Sequence, residues 1–348
     1  MLQAPPRRSA LATLDSGPVR TAGSVAAAAI VFALLLIANG TDPVEGYRAM
    51  WDSVTRDSNS FGDVLVRLTP YLLAALAVVV PARAGMFNIG GEGQLLIGAV
   101  GAMVAANTLD QAVGRGPTLV CMAIAGMLAA ALWPGIAAAF REWTGTNEAM
   151  STLLLNYVAA LILAWLVFGR WKDPAAAGYP RTRILDDVES LPLLWGRVHI
   201  GILIALGAAV SVWAVLRYTS WGFRLGVLGG NAEAARRAGL RTGRLSASAL
   251  MVGGALAGLG GMLQVSGVEQ QLRPGLMSGY GFIGVLAAWM VRHHPLKAIL
   301  SAGLLAAIAV GGNGLKIRAG LSGASVNILM ALMLLAVLGW GTPRRRTV

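Results

Sequence analysis

Long runs of apolar residues divide this chain and constrain its fold more than any other feature. Most of them approach the ~20 residues that a helix needs to cross about 30 Å of hydrocarbon. Because backbone polar groups find no water inside a bilayer, such runs must be helical. There are about ten, at residues 22–38, 63–82, 93–109, 117–140, 149–169, 198–217, 245–266, 281–292, 296–312 and 323–340. The sequence therefore predicts an all-α polytopic membrane protein with about ten transmembrane helices.

Composition supports this interpretation. The mean hydropathy is +0.66 and only 13% of residues are charged, which excludes an ordinary soluble domain. The formal net charge of +12 is assigned to loops that orient the helices, so we expect membrane lipid as a partner and no nucleic acid. The run at 22–38 could belong to a signal peptide, but it is long and lacks a cleavage site, so it is interpreted as the first span.

Loop charges predict the orientation. With both termini in the cytoplasm, about 16 of the 28 Lys and Arg residues face inward, although the outer loop 170–197 runs against this bias. We therefore expect a disordered cytoplasmic tail at 1–21, a transmembrane domain at 22–340 and a second cytoplasmic tail at 341–348. The outer loops 39–62 and 170–197 are each long enough to hold a small element.

No catalytic constellation is visible in the sequence. The chain has no Walker A loop and hence no ATP site of its own. Its single cysteine, Cys121, lies in an apolar run and is expected to be a buried small residue, and no Cys/His cluster suggests a metal. The glycine cluster at 253–261 follows no strand and favours close helix packing. We predict no catalytic residue, no metal and no cofactor bound by this chain.

The segment 229–239, within the inner loop 218–244, is small, basic and too short to span a bilayer. Asn231 is a good N-cap and Gly239 a good stop, which predicts a helix of about 10 Å. Asn231 and three alanines recur at helical spacing and share one flat face, which favours docking on a soluble partner. A helix resting on lipid would instead want Leu or Phe there. The predicted docking residues are Asn231, Ala234, Ala235, Arg237, Ala238 and Gly239.

Polar residues and glycines interrupt the chain at 85–94, at the mouth of a predicted span. The carboxylate of Glu92 could cap the helix that follows. A broken helix beside a solute path is the alternative, because irregular backbone is tolerated only next to a cavity. Amides near the span at 149–169 either hold helices together or line the same path. The predicted path residues are Asn88, Glu92, Gln94, Asn156 and Tyr157. A similar glycine cluster at 278–286 makes an inverted internal repeat one interpretation.

Several of these segments together resemble the motifs of one transporter family. Residues 86–98 (MFNIGGEGQLLIG) are similar to the signature of ATP-binding cassette importer permeases of the simple-sugar and nucleoside type. Further matches follow in family order at residues 148–157 (EAMSTLLLNY), 231–239 (NAEAARRAG), 279–284 (GYGFIG) and 294–296 (HPL). The resemblance covers roughly residues 60–340.

The resemblance implies the remaining components of a transporter. Two permease subunits, identical or homologous, would pair in the inner membrane of a prokaryotic cell. Separate ATPase subunits, which hold ATP and Mg²⁺, would dock on the segment 231–239. An extracytoplasmic binding protein would deliver the solute. Within the family the motifs favour nucleosides over ribose-type sugars or branched-chain amino acids.

Two other classes of membrane protein fit the residues less well. An ion-coupled secondary transporter needs ionisable groups at mid-membrane, and the predicted spans carry few charges away from their ends. An intramembrane enzyme needs a nucleophile–base pair or metal ligands, and none is spaced for that role.

Overall fold

The computed structural model describes residues 17–109, 114–176, 178–318, 324–325 and 327–332. The helices are α1 (Gly17–Ala38), α2 (Pro43–Thr55), α3 (Ser58–Arg83), α4 (Gly91–Thr108), α5 (Arg115–Thr144), α6 (Glu148–Phe168), α7 (Gly201–Tyr218), α8 (Ser220–Gly230), α9 (Ala232–Arg237), α10 (Thr242–Gln264), α11 (Tyr280–Met290) and α12 (Pro295–Arg318). A 3₁₀ turn (Asp187–Glu189), a two-stranded hairpin of β1 (Leu193–Trp195) and β2 (Val198–His199), and a π-helical turn (Val265–Glu269) complete the described elements.

Nine of the ten apolar runs lie on helices, and the tenth, 323–340, falls largely outside the described residues. Among the described residues, six helices are long and apolar enough to cross a membrane. The count becomes seven if α1 and α2, which meet at a bend of 112°, form one broken span. The chain is therefore a multi-pass membrane protein. The total of ten spans and the cytoplasmic position of both termini stay predictions.

Three expectations about local structure differ from the observed elements. Helix α1 begins at Gly17, before the end of the tail expected at 1–21, because polar residues ahead of the apolar run continue the same helix. The fold is not purely α-helical, because the loop 170–197 contains the β1–β2 hairpin, whose two-residue turn uses Gly196 at a φ of 51°. Cys121 is exposed rather than buried. In a membrane protein the outer surface of a helix such as α5 is as apolar as its inner surface, so hydropathy cannot tell the two apart.

The described residues divide into two compact units: those up to Val54 together with those from Ile308 onward, and those between Thr55 and Ala307. In the first unit α1 and α2 pack through an edge-to-face pair of Phe32 and Tyr47, whose ring centroids are 6.0 Å apart. The Tyr47 hydroxyl donates a hydrogen bond of 2.6 Å to the carbonyl of Ala29. This bond fastens α2 against the middle of α1.

The second unit is built around α3 and α10. Helix α10 packs against α3, α4 and α5. Its glycines permit this crowding: a methyl group on Gly261 would overlap the carbonyl oxygen of Leu95 in α4, and one on Gly254 would overlap that of Ala130 in α5. The glycine cluster at 253–261 is thus a helix-packing surface, as the sequence predicted.

Candidate functional site

The candidate site begins where α3 ends. The N–H of Met86 donates to the carbonyl of Pro81 (3.1 Å) and that of Gly85 to Ala82 (3.0 Å), and Gly85 has a φ of 74°. This is the Schellman arrangement, in which a left-handed glycine ends a helix. The chain then runs without helical structure through residues 86–90 before α4 begins at Gly91. We call residues 86–90 the connecting segment.

Side chains of α6 hold the connecting segment. Glu148, Thr152 and Asn156 recur every four residues and therefore share one face of the helix. The N–H of Phe87 donates to Glu148 Oε1 and that of Ile89 to Thr152 Oγ1, both at 3.2 Å. Asn156 Nδ2 donates to the carbonyl of Ile89 at 3.0 Å. These side chains satisfy backbone groups that would otherwise be orphaned where the helix is broken.

An amide pair closes the other side of the connecting segment. Asn88 and Gln94 exchange two hydrogen bonds, Nδ2 to Oε1 at 3.0 Å and Nε2 to Oδ1 at 2.8 Å. Asn88 also donates to the carbonyl of Ala77 and accepts from the N–H of Gly90, each at 3.0 Å. Both amides are buried. Asn88 therefore ties the connecting segment to α3 and α4 at the same time.

Glu92 joins the start of α4 to the start of α11. Its carboxylate accepts hydrogen bonds from the N–H groups of Gly279 and Gly281, the latter at 2.9 Å. The two helices touch through glycines, since a methyl on Gly91 would lie 3.4 Å from Cα of Gly281. These N–H groups lie at the start of α11, where a helix leaves its first N–H groups free and favours a negative charge. The two glycine clusters that the sequence analysis compared thus meet in space.

Four of the five predicted path residues belong to this hydrogen-bonded network: Asn88, Glu92, Gln94 and Asn156. The fifth, Tyr157, does not; its side chain is 66% exposed. The sequence analysis included Glu148 and Thr152 only within the motif at residues 148–157 and assigned neither of them a role. The sequence feature that could have indicated their role is the four-residue spacing that they share with Asn156. The contacts give the buried residues a bracing role, and their part in a solute path stays a prediction.

The helix that was predicted within the loop 218–244 is α9. Asn231 Oδ1 accepts from the N–H groups of Glu233 and Ala234, both at 3.0 Å. At the other end Gly239 has a φ of 78°, and the N–H of Leu240 donates to the carbonyl of Ala235 at 3.1 Å. The start and stop that the sequence predicted are therefore confirmed.

The predicted docking face of α9 needs one correction. Ala235 is fully buried, whereas the remaining predicted docking residues, Asn231, Ala234, Arg237, Ala238 and Gly239, are exposed. A six-residue helix is stable only when it is seated on the rest of the protein, and Ala235 supplies that seat. The alanine spacing could not reveal which member points inward. Ala235 is thus unavailable to a partner in this structure.

Helix α8, which precedes α9, was not predicted. Thr219 caps it by accepting a hydrogen bond from the N–H of Gly222 at 3.2 Å. Leu225 and Leu228 form its buried face. Trp221 Nε1 donates to Ser248 Oγ in α10 at 3.0 Å. The signal was an N-cap threonine followed by two leucines at helical spacing.

Comparison with known proteins gives the family. The family described as "Branched-chain amino acid transport system / permease component" matches residues 60–338. The chain belongs to this family. The matched region contains the connecting segment, α9 and the face of α6 that carries Glu148, Thr152 and Asn156, so the candidate site lies within the permease component.

Individual relatives are also permeases of ATP-binding cassette transporters. The chain is 36% identical to the glucose ABC transporter permease protein TsgB13 of Haloferax volcanii, over 96% of this chain and 90% of that protein. It is 29% identical to the guanosine permease NupP of Bacillus subtilis, over 88% of each. It is 28% identical to the nucleoside permease NupB of Lactococcus lactis, over 82% of this chain and 83% of that protein.

Among solved structures, PsaBC from Streptococcus pneumoniae in complex with Fab is similar over 83% of this chain and 94% of that chain, at 11% identity and a TM-score of 0.47. A TM-score of that size supports no argument about this permease.

Three arginines of the loop 170–197, which is predicted to lie outside, pair with carboxylates. Arg183 pairs with both carboxylate oxygens of the buried Glu189 at 2.6 and 2.8 Å, and it donates to Asn107 at 2.8 Å. The hydrogen bonds to Glu189 raise the pKa of Arg183. Arg181 and Arg197 also have carboxylate partners, Asp173 at 3.7 Å and Asp63 at 3.5 Å. Local pairing thus offsets charges that the orientation rule would place inside.

Among the described residues, no group of three or more His, Cys, Asp or Glu side chains is placed to hold a metal ion. His199, in β2, is buried, and its Nδ1 accepts from the N–H of Gly201 at 3.1 Å. Burial lowers the pKa of His199 to about 4, so the side chain is neutral at pH 7.

Proposed function

We propose that this permease is the membrane subunit of an ATP-binding cassette importer that carries nucleosides into a prokaryotic cell. Solute would cross by alternating access, and separate ATPase subunits holding ATP and Mg²⁺ would drive the cycle. The observation that carries the proposal is the family match over residues 60–338, combined with alignment to guanosine and nucleoside permeases over at least four fifths of the chain.

Simple sugars are the second candidate substrate. The specific observation in their favour is the 36% identity with a glucose permease, which exceeds the identity with either nucleoside permease named above. Nucleosides and sugars both carry hydroxyls, so a path lined by neutral amides would suit either. A nucleoside adds a flat base with hydrogen-bonding edges. Asn88, Gln94 and Asn156 supply the amides in this proposal, and Tyr157 supplies a ring.

Uptake in cells separates the two substrates. We would delete the permease gene, restore it on a plasmid, and measure uptake of radiolabelled guanosine and glucose at low concentration. We expect guanosine uptake to disappear with the deletion and return with the plasmid, with glucose uptake unchanged. Dependence of glucose uptake alone would replace the nucleoside assignment with the sugar one.

Partner subunits complete the proposal. An ATPase subunit docks on the exposed face of α9, which carries Ala234 and Ala238. A second permease, identical or homologous, pairs with this one, and an extracytoplasmic binding protein delivers solute to the outer loops. The charge distribution of the loops supports this orientation, with α9 in the cytoplasm and residues 170–197 outside. The site of the complex is the inner membrane.

Docking on α9 can be tested with two matched alanines. Ala234→Glu places a charge on the exposed docking face, and we expect it to abolish solute-stimulated ATP hydrolysis in the assembled complex. Ala232→Glu is the control, since Ala232 is exposed on the same helix but lies off that face. The Ala234 variant should still insert into the membrane. Normal stimulation in that variant would mean that α9 rests on lipid instead.

A further inference from the structure

The last turn of α8 touches the junction between α3 and the connecting segment. A methyl group on Gly229 would overlap the carbonyl oxygen of Arg83 and would lie 2.9 Å from the amide nitrogen of Gly85. Gly85 faces the same contact, where a methyl would lie 3.3 Å from Cα of Gly229. Two glycines therefore bring backbone directly against backbone, with no side chain between them.

Helix α8 is also coupled tightly to α9. Asn231 is the only residue between the two helices. Its N–H donates to the carbonyl of Val227 in α8 at 3.1 Å, while its side chain caps α9. A single residue with both ends hydrogen-bonded leaves no flexible linker to absorb a displacement. Movement of α9 must therefore be followed by the end of α8.

The junction continues without a break into the connecting segment and from there to α6. The connecting segment differs from the helices around it in how its backbone is satisfied. Its N–H groups at Phe87 and Ile89 bond to the side chains of Glu148 and Thr152 rather than to a helical ladder. Hydrogen bonds to side chains can be exchanged one at a time. Shifting the connecting segment should therefore cost less free energy than breaking a helix.

We propose that the contact between Gly229 and Gly85 transmits movement of α9 to the connecting segment, and through it to α4 and α6. This inference rests on the proposed docking of an ATPase on α9, and it adds Gly229 and Gly85 as positioning residues outside the docking face. The physical basis is a continuous series of backbone contacts running from α9 through α8 and Gly85 to the α6 ladder. Transmission by this contact requires glycine at both positions, because any added side chain would push the two backbones apart.

The test compares two adjacent glycines in the complete complex. Gly229→Ala inserts a methyl group into the contact. Gly230→Ala is the matched control, because Gly230 is exposed on the same helix and a methyl there meets nothing within 4 Å. We would measure assembly with the ATPase, basal ATP hydrolysis, stimulation by the solute-loaded binding protein, and uptake.

We expect both variants to assemble and to keep basal hydrolysis. Gly229→Ala should reduce stimulation and uptake about fivefold or more, and Gly230→Ala should stay within about twofold of the original protein. If Gly229→Ala fails to assemble through misfolding, Gly226→Val provides a second variant. A methyl on Gly226 would meet only the mobile guanidinium of Arg83, at 3.2 Å, so the larger side chain should separate α8 from the junction without backbone overlap.

Three results would overturn the inference. Normal stimulation in Gly229→Ala, or in Gly226→Val where that variant is needed, would show that the contact transmits nothing. Equal losses in Gly229→Ala and Gly230→Ala would assign the effect to the end of α8 in general. Release of the ATPase from a folded Gly229→Ala permease would assign the contact to docking. None of these results alters the separate Ala234→Glu test of docking on α9, so failure of the inference and failure of the proposed function are distinguishable.

Discussion

Asn156→Ala tests whether the buried polar network braces the permease. The side chain of Asn156 is only 6% exposed, and it accepts from the N–H of Gly93 at 2.8 Å while donating to the carbonyl of Ile89 at 3.0 Å. Truncation leaves one donor and one acceptor without partners. A methyl on Gly93 would already lie 3.0 Å from Cα of Asn156, so the helices touch here and water has little room to enter.

The expected cost follows from these two orphaned groups. Hydrogen bonds between membrane helices average about 0.6 kcal/mol, which sets a lower limit of about 1 kcal/mol for the pair. Buried groups left unsatisfied cost about 1–3 kcal/mol each, which sets an upper limit of about 6 kcal/mol. Because the site is tight and dry, we expect a loss of about 3 kcal/mol, together with a several-fold reduction in uptake and no loss of assembly.

The measurement combines thermal unfolding of the purified permease in detergent with uptake in cells. Tyr157→Ala is the control from the neighbouring position, and its exposed side chain predicts a change within about 0.5 kcal/mol. A melting temperature for Asn156→Ala equal to that of the original protein, with uptake still reduced, would refute the bracing argument. Asn156 would then act on the solute alone.

Three further predictions concern orientation, packing and pH. In a cysteine-free background, a cysteine at Ala176 should react with an impermeant reagent from outside the cell and one at Ala234 only after permeabilisation; the reverse would overturn the orientation. Gly258→Ala, whose methyl would overlap α5, should destabilise the permease by about 1–3 kcal/mol, while Gly207→Ala, whose methyl meets nothing within 4 Å, should not lower the melting temperature. Burial lowers the pKa of His199 to about 4, so the unfolded chain binds more protons below pH ~6.5. Stability should therefore fall as the pH drops from about 6.5 towards 4, and His199→Gln should flatten this decline; an unchanged slope in melting temperature against pH would contradict it.

Sequence reasoning captured what is local in this fold. Apolar runs predicted most helices because a membrane span must be both long and apolar. The ends of α9 were readable from Asn231 and Gly239, since capping depends on neighbouring backbone groups. The glycine cluster of α10 was assigned correctly to packing, because small residues are what closely approaching membrane helices require.

The parts that depended on tertiary contacts were not predictable. Hydropathy could not tell that Cys121 faces outward, because lipid and protein interior are equally apolar. The alanine spacing of α9 could not tell that Ala235 faces inward, because its neighbours on the same face are also alanines. The four-residue spacing of Glu148, Thr152 and Asn156 was visible in the sequence. The role of this spacing could not be predicted, because the backbone N–H groups that these side chains bond belong to the connecting segment. That segment lies 61 to 63 residues earlier in the chain.

Reconstituted transport is the most direct test of the central claim. The permease, with its ATPase and partner permease, would be purified together and placed in proteoliposomes with solute-loaded binding protein. The account predicts accumulation of radiolabelled guanosine that requires ATP, survives collapse of ion gradients, and is competed by unlabelled guanosine but not by glucose. Accumulation driven by an ion gradient without ATP would contradict it.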